Sequence, residues 1–345
     1  YDSESDVNLM FFNSDKCSPC LSYDQALFNY PFELVSPQLF NGETINLYNK
    51  DSLEVKMRLK HKGLTINKTT VFYADEYNIK HSFFVDGAKK EWFVVWDAGI
   101  KTTENNLYEE LTYASAYIGQ QKEINNISLS PSSSGDVIEK QTFDGKTDWV
   151  AIRNKYFINA FVSSASVGGT LSAVSQHLNN ENLVPVYSVG LKFLSSYANI
   201  NQFFGPLDVD IVASSGTYLD RVMNFGWLPI QPFSRSVLWM LKKLHLVGLN
   251  YGIILILFAF LIRFITGPLT KKSYQSTLKM QTIQPQLKKI QEKYKNDTQR
   301  LNKEMMKLYQ TSGVNPLGGC LPMLIQMPLL FSLFIVFRST IEFRG

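Results

Sequence analysis

Two textures of hydrophobic patterning divide the chain. Up to about residue 225, apolar side chains alternate with polar ones or gather in short runs; beyond Trp227 they recur at helical spacing or in long stretches. In Val55-Lys56-Met57-Arg58-Leu59-Lys60 every second side chain is apolar, the period of a half-buried strand. Further runs at Thr70–Tyr73, His81–Val85, Glu91–Trp96, Trp149–Val162 and Leu183–Leu194 are separated by turn formers such as Asp86-Gly87, Asp97-Ala98-Gly99, Ser130–Asp136 and Asp144-Gly145-Lys146. Many strands without interleaved helical patterns predict a large antiparallel β-sandwich over residues 1–228.

The remainder, 229–345, reads as helical. Within 234–247, Val237, Met240, Leu241, Leu244 and Val247 fall on one face, with Lys242 and Lys243 on the other. Such a helix lies in a membrane interface or packs on the sandwich. A first span is expected at 249–268, closed by Gly267-Pro268. Arg263 interrupts it. A cation near the centre of a membrane helix costs roughly 2.5–3.5 kcal/mol, so it either faces protein or water for a function or snorkels to the headgroups.

Residues 270–311 predict an antiparallel helical hairpin. Met280, Ile283, Leu287, Ile290 and Tyr294 form one seam, and Leu301, Met305 and Leu308 the other, with Asn296-Asp297-Thr298 as turn and N-cap. Pro285 predicts a kink or a restart near Gln284. A second span is expected at 318–338, apolar from Leu321 to Phe337 apart from Gln326 and Ser332 and holding Pro322 and Pro328. Gln326 beside Pro328 suggests an irregular helix lining a polar cavity; alternatively the prolines set a bend.

Charge orients these elements. The chain carries a net +4, yet Lys271–Lys307 alone holds ten Lys and Arg against three acids. Basic short loops stay in the cytoplasm, so the hairpin is expected inside, the sandwich outside, and Arg263 in the cytoplasmic half of its span. Candidate chemistry is sparse: no Gly-x-Ser-x-Gly, no defensible carboxylate pair, and four scattered histidines. No catalytic residue, cofactor or metal is expected. Cys17 and Cys20 in Lys16-Cys17-Ser18-Pro19-Cys20 suit a structural disulfide or idle thiols better than a redox pair, and Cys320 reads as packing. A membrane-tethered periplasmic ligand-binding module is the competing reading. A transporter would need an acidic partner for Arg263 within the spans, and nucleic-acid binding explains the basic hairpin less well than topology does.

Four stretches resemble the YidC/Oxa family of membrane-protein insertases, in its bacterial form with a large periplasmic domain. They are Asn224-Phe225-Gly226-Trp227; Leu261-Ile262-Arg263-Phe264-Ile265-Thr266-Gly267-Pro268-Leu269-Thr270; Met280-Gln281-Thr282-Ile283-Gln284-Pro285; and Asn315-Pro316-Leu317-Gly318-Gly319-Cys320-Leu321-Pro322-Met323-Leu324-Ile325-Gln326-Met327-Pro328. The match is strongest in the last third of the chain. Within the sandwich it rests on general type and on Trp149-Val150-Ala151 and Lys155-Tyr156-Phe157.

The resemblance implies a multi-domain fold: an antiparallel β-sandwich in the periplasm, then an α-helical membrane domain with a cytoplasmic antiparallel hairpin. It implies a hydrophilic groove open to cytoplasm and lipid, with Arg263 as its positive charge and Gln326, Met327 and Pro328 along the substrate's path. The implied location is the bacterial inner membrane, multi-pass, with residues 1–228 periplasmic. The implied partners are nascent membrane proteins, the Sec translocon, the ribosome and targeting factors, and membrane lipids, with no DNA. Two departures stand out. Ala259 occupies a position where members can carry a hydroxyl, and the family's N-terminal anchor and further core helices are not in this sequence, both of whose ends read as cut from a longer protein.

Overall fold

The computed structural model describes residues 19–24, 26–28, 32–37, 45–48, 51–61, 63–104, 106–121, 123–130, 138–179, 182–216, 218–223, 225–314, 321–339 and 341. Cys17, Cys320, the turn region 131–136 and the 315–320 approach to the second span lie outside them. The chain divides into two compact units, one built on the strands up to Met223 and one on the helices from Asn224 to Arg338.

Two antiparallel sheets form the first unit. The six-stranded sheet runs β10 (Ile138–Asp144), β13 (Gly168–Asn179), β14 (Asn182–Phe193), β7 (Trp92–Trp96), β1 (Cys20–Tyr23), β2 (Ala26–Phe28). The nine-stranded sheet runs β3 (Glu33–Ser36), β4 (Ser52–His61), β5 (Leu64–Tyr73), β6 (Asn78–Asp86), β15 (Tyr197–Pro206), β12 (Phe157–Val162), β11 (Trp149–Arg153), β8 (Ser115–Gln120), β9 (Glu123–Ile127). The alternation read in 55–60 is real: in β4 the even residues face solvent and the odd ones turn inward. Inner faces of both sheets meet in one core, where Phe83 and Phe193 bracket Trp92 at centroid distances of 6.2 and 5.1 Å. Gly119 sits in register with Trp149, and a Cβ there would enter the indole. Cys20 is disulfide-bonded.

The Trp149–Val162 run is two strands because Asn154 turns the chain. Its Oδ1 accepts from the backbone N–H of Tyr156 (3.1 Å) and Phe157 (2.7 Å), and its Nδ2 donates to Glu110 Oε1 at 2.5 Å. Glu110 lies on a short helix, α1 (Leu107–Thr112), and also accepts from the backbone N–H of Thr103 and Glu104. Burial raises the pKa of this carboxyl, and those N–H donors oppose the rise. Arg153, 2% exposed, donates through Nη1 to Val222 O at 2.8 Å and fastens the segment that leaves the sandwich. That segment holds α2 (Val209–Ser215), capped by Asp208.

In the second unit α3 (Gln231–His245) buries Ser234, Val237, Leu238 and Leu241 and ends on Lys242, Lys243 and His245, favourable charges at a helix C-terminus. It starts three residues before the expected position because Pro232 suits a first helical turn. Leu246 and Val247 fall in the exposed turn beyond it. Next, α4 (Tyr251–Lys293) begins at the Asn250 cap and continues for 43 residues through both Pro268 and Pro285. The expected stop at Gly267-Pro268 and restart near Gln284 are therefore corrected. Each proline deletes a single N–H, while the turns on either side keep their ladder. Threonine hydroxyls add bonds around both sites: Thr266 to Ile262 O, Thr270 to Thr266 O, Thr282 to Lys279 O.

The turn Tyr294–Asp297 brings α5 (Thr298–Thr311) back against the end of α4, with Asp297 capping it through Arg300 N at 3.0 Å. Ile283, Leu287 and Val314 are buried there, with Met280, Met305, Leu308 and Tyr309 packed around them. The last helix is α6 (Leu321–Ser339), with Pro328 inside it. Its Ile335 lies where a Cβ on Gly226 would sit, at 2.7 Å, and Gly226 also adopts φ +86°, so both space and backbone demand glycine.

Candidate functional site

Among the described residues one helix segment is long and apolar enough to cross a membrane, Tyr251–Pro268 in α4; the apolar part of α6, Gln326–Arg338, is shorter. Ile254 and Phe258, one turn apart, are buried, whereas Phe260, Phe264 and Ile265 face outward. Large apolar side chains on the outer surface of a helix mark a face that meets lipid or further protein.

Between α4 and α6 opens a cleft of about 630 Å³. Ile262, Thr270, Ser273, Tyr274 and Thr277 form the α4 wall; Met323, Gln326, Met327, Leu329, Leu330 and Leu333 form the α6 wall. The wall is less polar than its residue names suggest. Thr270 donates its hydroxyl to Thr266 O at 2.9 Å and Thr277 donates to Ser273 O at 3.1 Å, so both hydroxyl protons are already used within α4. The Gln326 amide is exposed on the opposite wall.

Of the four residues expected to meet substrate, the cleft brings Gln326 and Met327 together. Arg263 directly follows Ile262 and is exposed, without an ion-pair partner among the described residues, but is not part of the wall. Pro328 lies on the other flank of α6, where its carbonyl accepts the hydroxyl of buried Ser332 at 2.6 Å. Sequence reasoning missed Thr270, Ser273, Tyr274 and Thr277. Their signal was available: hydroxyl-bearing residues at three- and four-residue spacing along one helix face. Among the described residues no group of three or more His, Cys, Asp or Glu side chains could hold a metal.

The family described as YidC periplasmic domain matches residues 34–240, and that described as 60Kd inner membrane protein matches residues 242–345. The chain belongs to the YidC family. Relatives named membrane protein insertase YidC are 37% identical to it over 313 residues in Chlorobium phaeovibrioides (86% of this chain, 52% of the relative). The same identity holds over 298 residues in Chloroherpeton thalassium (82% and 50%) and over 318 in Prosthecochloris aestuarii (87% and 53%). The chain spans about half the length of the curated relatives it matches. Among solved structures, an α-N-acetylgalactosaminidase from Bifidobacterium bifidum overlaps 58% of this chain and 33% of its own at 10% identity and TM-score 0.34, too remote to guide interpretation. YidC is an inner-membrane insertase family with a periplasmic domain, and the β-rich first unit is that domain.

A second buried polar network of the periplasmic domain, besides that of Asn154 and Glu110, runs through His81. Gln202 donates through Nε2 to Asn159 Oδ1 at 2.7 Å, which aims its Oε1 at His81 Nε2, 2.8 Å away. His81 Nδ1 then accepts the Thr70 hydroxyl at 3.0 Å, so the imidazole is neutral. Burial pushes the His81 pKa down to about 4, and the Lys68 charge adds to the effect. Lys68 itself is lowered to about 8 by burial, its ammonium 5.7 Å from the Phe83 ring centroid and 5.9 Å from that of Phe32. These groups are buried within the sandwich, where they bear on its stability.

Proposed function

We propose that this chain carries the substrate-handling part of a membrane protein insertase, with Arg263, Gln326, Met327 and Pro328 along the client's path. The observation that supports the reading best is Arg263, a lone cation in an apolar membrane helix, placed one residue beyond an open cleft in a chain of this family. A client's extracytoplasmic tail must cross about 30 Å of hydrocarbon, where every bare polar group is costly. A wetted cationic groove shortens that path and attracts acidic tails, while the client's apolar segment leaves sideways into lipid. No covalent step is required, in keeping with a non-enzymatic insertase family.

In this reading the protein is multi-pass in the bacterial inner membrane. Residues 1–228 are periplasmic and 229–345 belong to the membrane core, with the interfacial helix at 234–247 and the basic hairpin in the cytoplasm. Nascent membrane proteins are the clients; the Sec translocon, the ribosome and targeting factors, and lipids are the partners. The test is an insertion assay with clients that differ in tail charge alone. Arg263→Ala is expected to slow acidic-tailed clients about tenfold relative to neutral ones, the equivalent of about 1.4 kcal/mol. Equal loss for both, or none, overturns the electrostatic role.

A further inference from the structure

The chain passes from α3 into α4 through residues 246–250. Leu246 and Val247 are exposed there, and Gly248 has φ +79°, a backbone that other residues rarely adopt. With so little burial, such a turn would by itself be a hinge. The residues on either side close it. His245, the last of α3, stacks on Tyr251, the first of α4, with ring centroids 4.2 Å apart and planes 14° from parallel. Nδ1 of the same imidazole lies 3.2 Å from the Leu249 carbonyl, so that nitrogen carries the proton and donates it. Asn250 then caps α4 by accepting from the Gly252 N–H at 2.8 Å.

Tyr251 is also where the apolar stretch of α4 begins. A tyrosine at that place suits the headgroup level, where one end of the ring is apolar and the other wet. Arg263 follows twelve residues later, about 18 Å along the axis at 1.5 Å per residue. No proline or glycine stands between Ile253 and Arg263, so the helix between the two residues is stiff. Against a hydrocarbon core of about 30 Å, that rise carries the guanidinium past the midplane and into the cytoplasmic half. Any slip of Tyr251 is passed on to Arg263 undiminished.

We propose that the His245–Tyr251 stack is a positioning clasp that sets the depth of Arg263 in the membrane. The inference rests on the role proposed above for Arg263 and deepens it. His245 and Tyr251 touch no client; they act through α4. Closed, the clasp ties the start of the span to α3, which is itself seated by buried Val237, Leu238 and Leu241. Open, the span is free to slide or tilt, and the cation leaves the level at which it meets a client's tail. Stacking needs a flat ring rather than a charge, so phenylalanine at 245 serves where alanine does not.

The test uses the full-length protein in bilayers, with a spin label on Phe264→Cys, a position 83% exposed beside Arg263. Depth is read from relaxation of the label by oxygen and by a water-soluble nickel chelate. His245→Ala and Tyr251→Ala are each expected to move the label by about 3 Å, the rise of two residues, or to spread its depth over that range. The double variant should do no more than either alone, and His245→Phe should restore a single depth. In the insertion assay, the preference for acidic over neutral tails should fall about threefold in His245→Ala, the scale of one aromatic pair, and return in His245→Phe. An unmoved label, strict additivity of the two alanine variants, or a preference that stays whole in His245→Ala while Arg263→Ala loses it overturns the proposal. A moved label together with a preference that ignores Arg263 altogether would instead strike the insertase reading and leave the clasp.

Discussion

The sandwich and the helical unit treat large side chains in opposite ways. In the sandwich, Trp92, Trp149, Phe83 and Phe161 are almost wholly enclosed, and the buried His81, Gln202 and Asn159 are partnered with one another. In the helical unit, Trp239, Phe260, Phe264 and Leu330 face outward, and within the apolar stretch of α4 only Ile254 and Phe258 are buried. The first unit brings its own solvent in the form of a core. The second borrows one from the bilayer, which is why similar apolar content yields so different a distribution.

That contrast can be broken from the sandwich side most forcefully. Phe83→Ala removes a 1%-exposed ring in contact with Trp92 and is expected to cost about 3–5 kcal/mol, read from denaturant unfolding of the periplasmic domain. Acid should act next. His81 stays neutral in the fold down to about pH 4, whereas an unfolded histidine binds a proton below about pH 6.5. Stability is therefore whole above pH 6.5 and falls by about 3 kcal/mol as pH drops to 4. His81→Gln should flatten that slope in a pH series of unfolding curves.

Lys68 gives the converse case. Its folded pKa of about 8 lies under the unfolded value, so its charge weakens the fold below pH 8 and the penalty fades as pH rises towards 10.5. Lys68→Met should thus stabilise the domain by about 1–3 kcal/mol at neutral pH, and an unchanged unfolding midpoint would show that the cation–π contacts already offset the burial. The smallest effect is expected on the other side of the contrast. Phe264→Ala in detergent should shift stability by no more than about 0.5 kcal/mol despite removing a whole ring, since that ring has few protein neighbours to lose.

What could be read in the sequence follows the range of the interactions involved. Strand alternation in 55–60, the buried stripe of α3 and the Met280, Ile283, Leu287 packing against Met305 and Leu308 are set by neighbours a few residues away, and periodicity exposes them. The His81–Gln202 bond joins residues 121 apart, and Arg153 reaches Val222 across 69, so no local pattern announces either. Helices α1 and α2 are too short for a period to emerge, and each depends on a capping Asn106 or Asp208 within a β-rich region. The prolines of α4 misled in the other direction. Propensity counts a proline as a stop, but a helix with ladder intact on both sides outweighs one missing bond. In the cleft, Gln326 stood out as an amide in an apolar run and Met327 came only through the family resemblance, whereas the α4 hydroxyls were hidden among the polar residues of a basic segment.

The unbroken course of α4 has a mechanical consequence. Forty-three residues at 1.5 Å each make a rod of about 65 Å that enters the apolar stretch at Tyr251 and ends at Lys293, beside the turn into α5. Between Arg263 and the basic tip the ladder lacks a bond only at Pro268 and Pro285, the two points where such a helix bends most readily. Movement at the hairpin is expected to reach the apolar stretch only through those two points, and a flexible insert after Thr270 would cut that path.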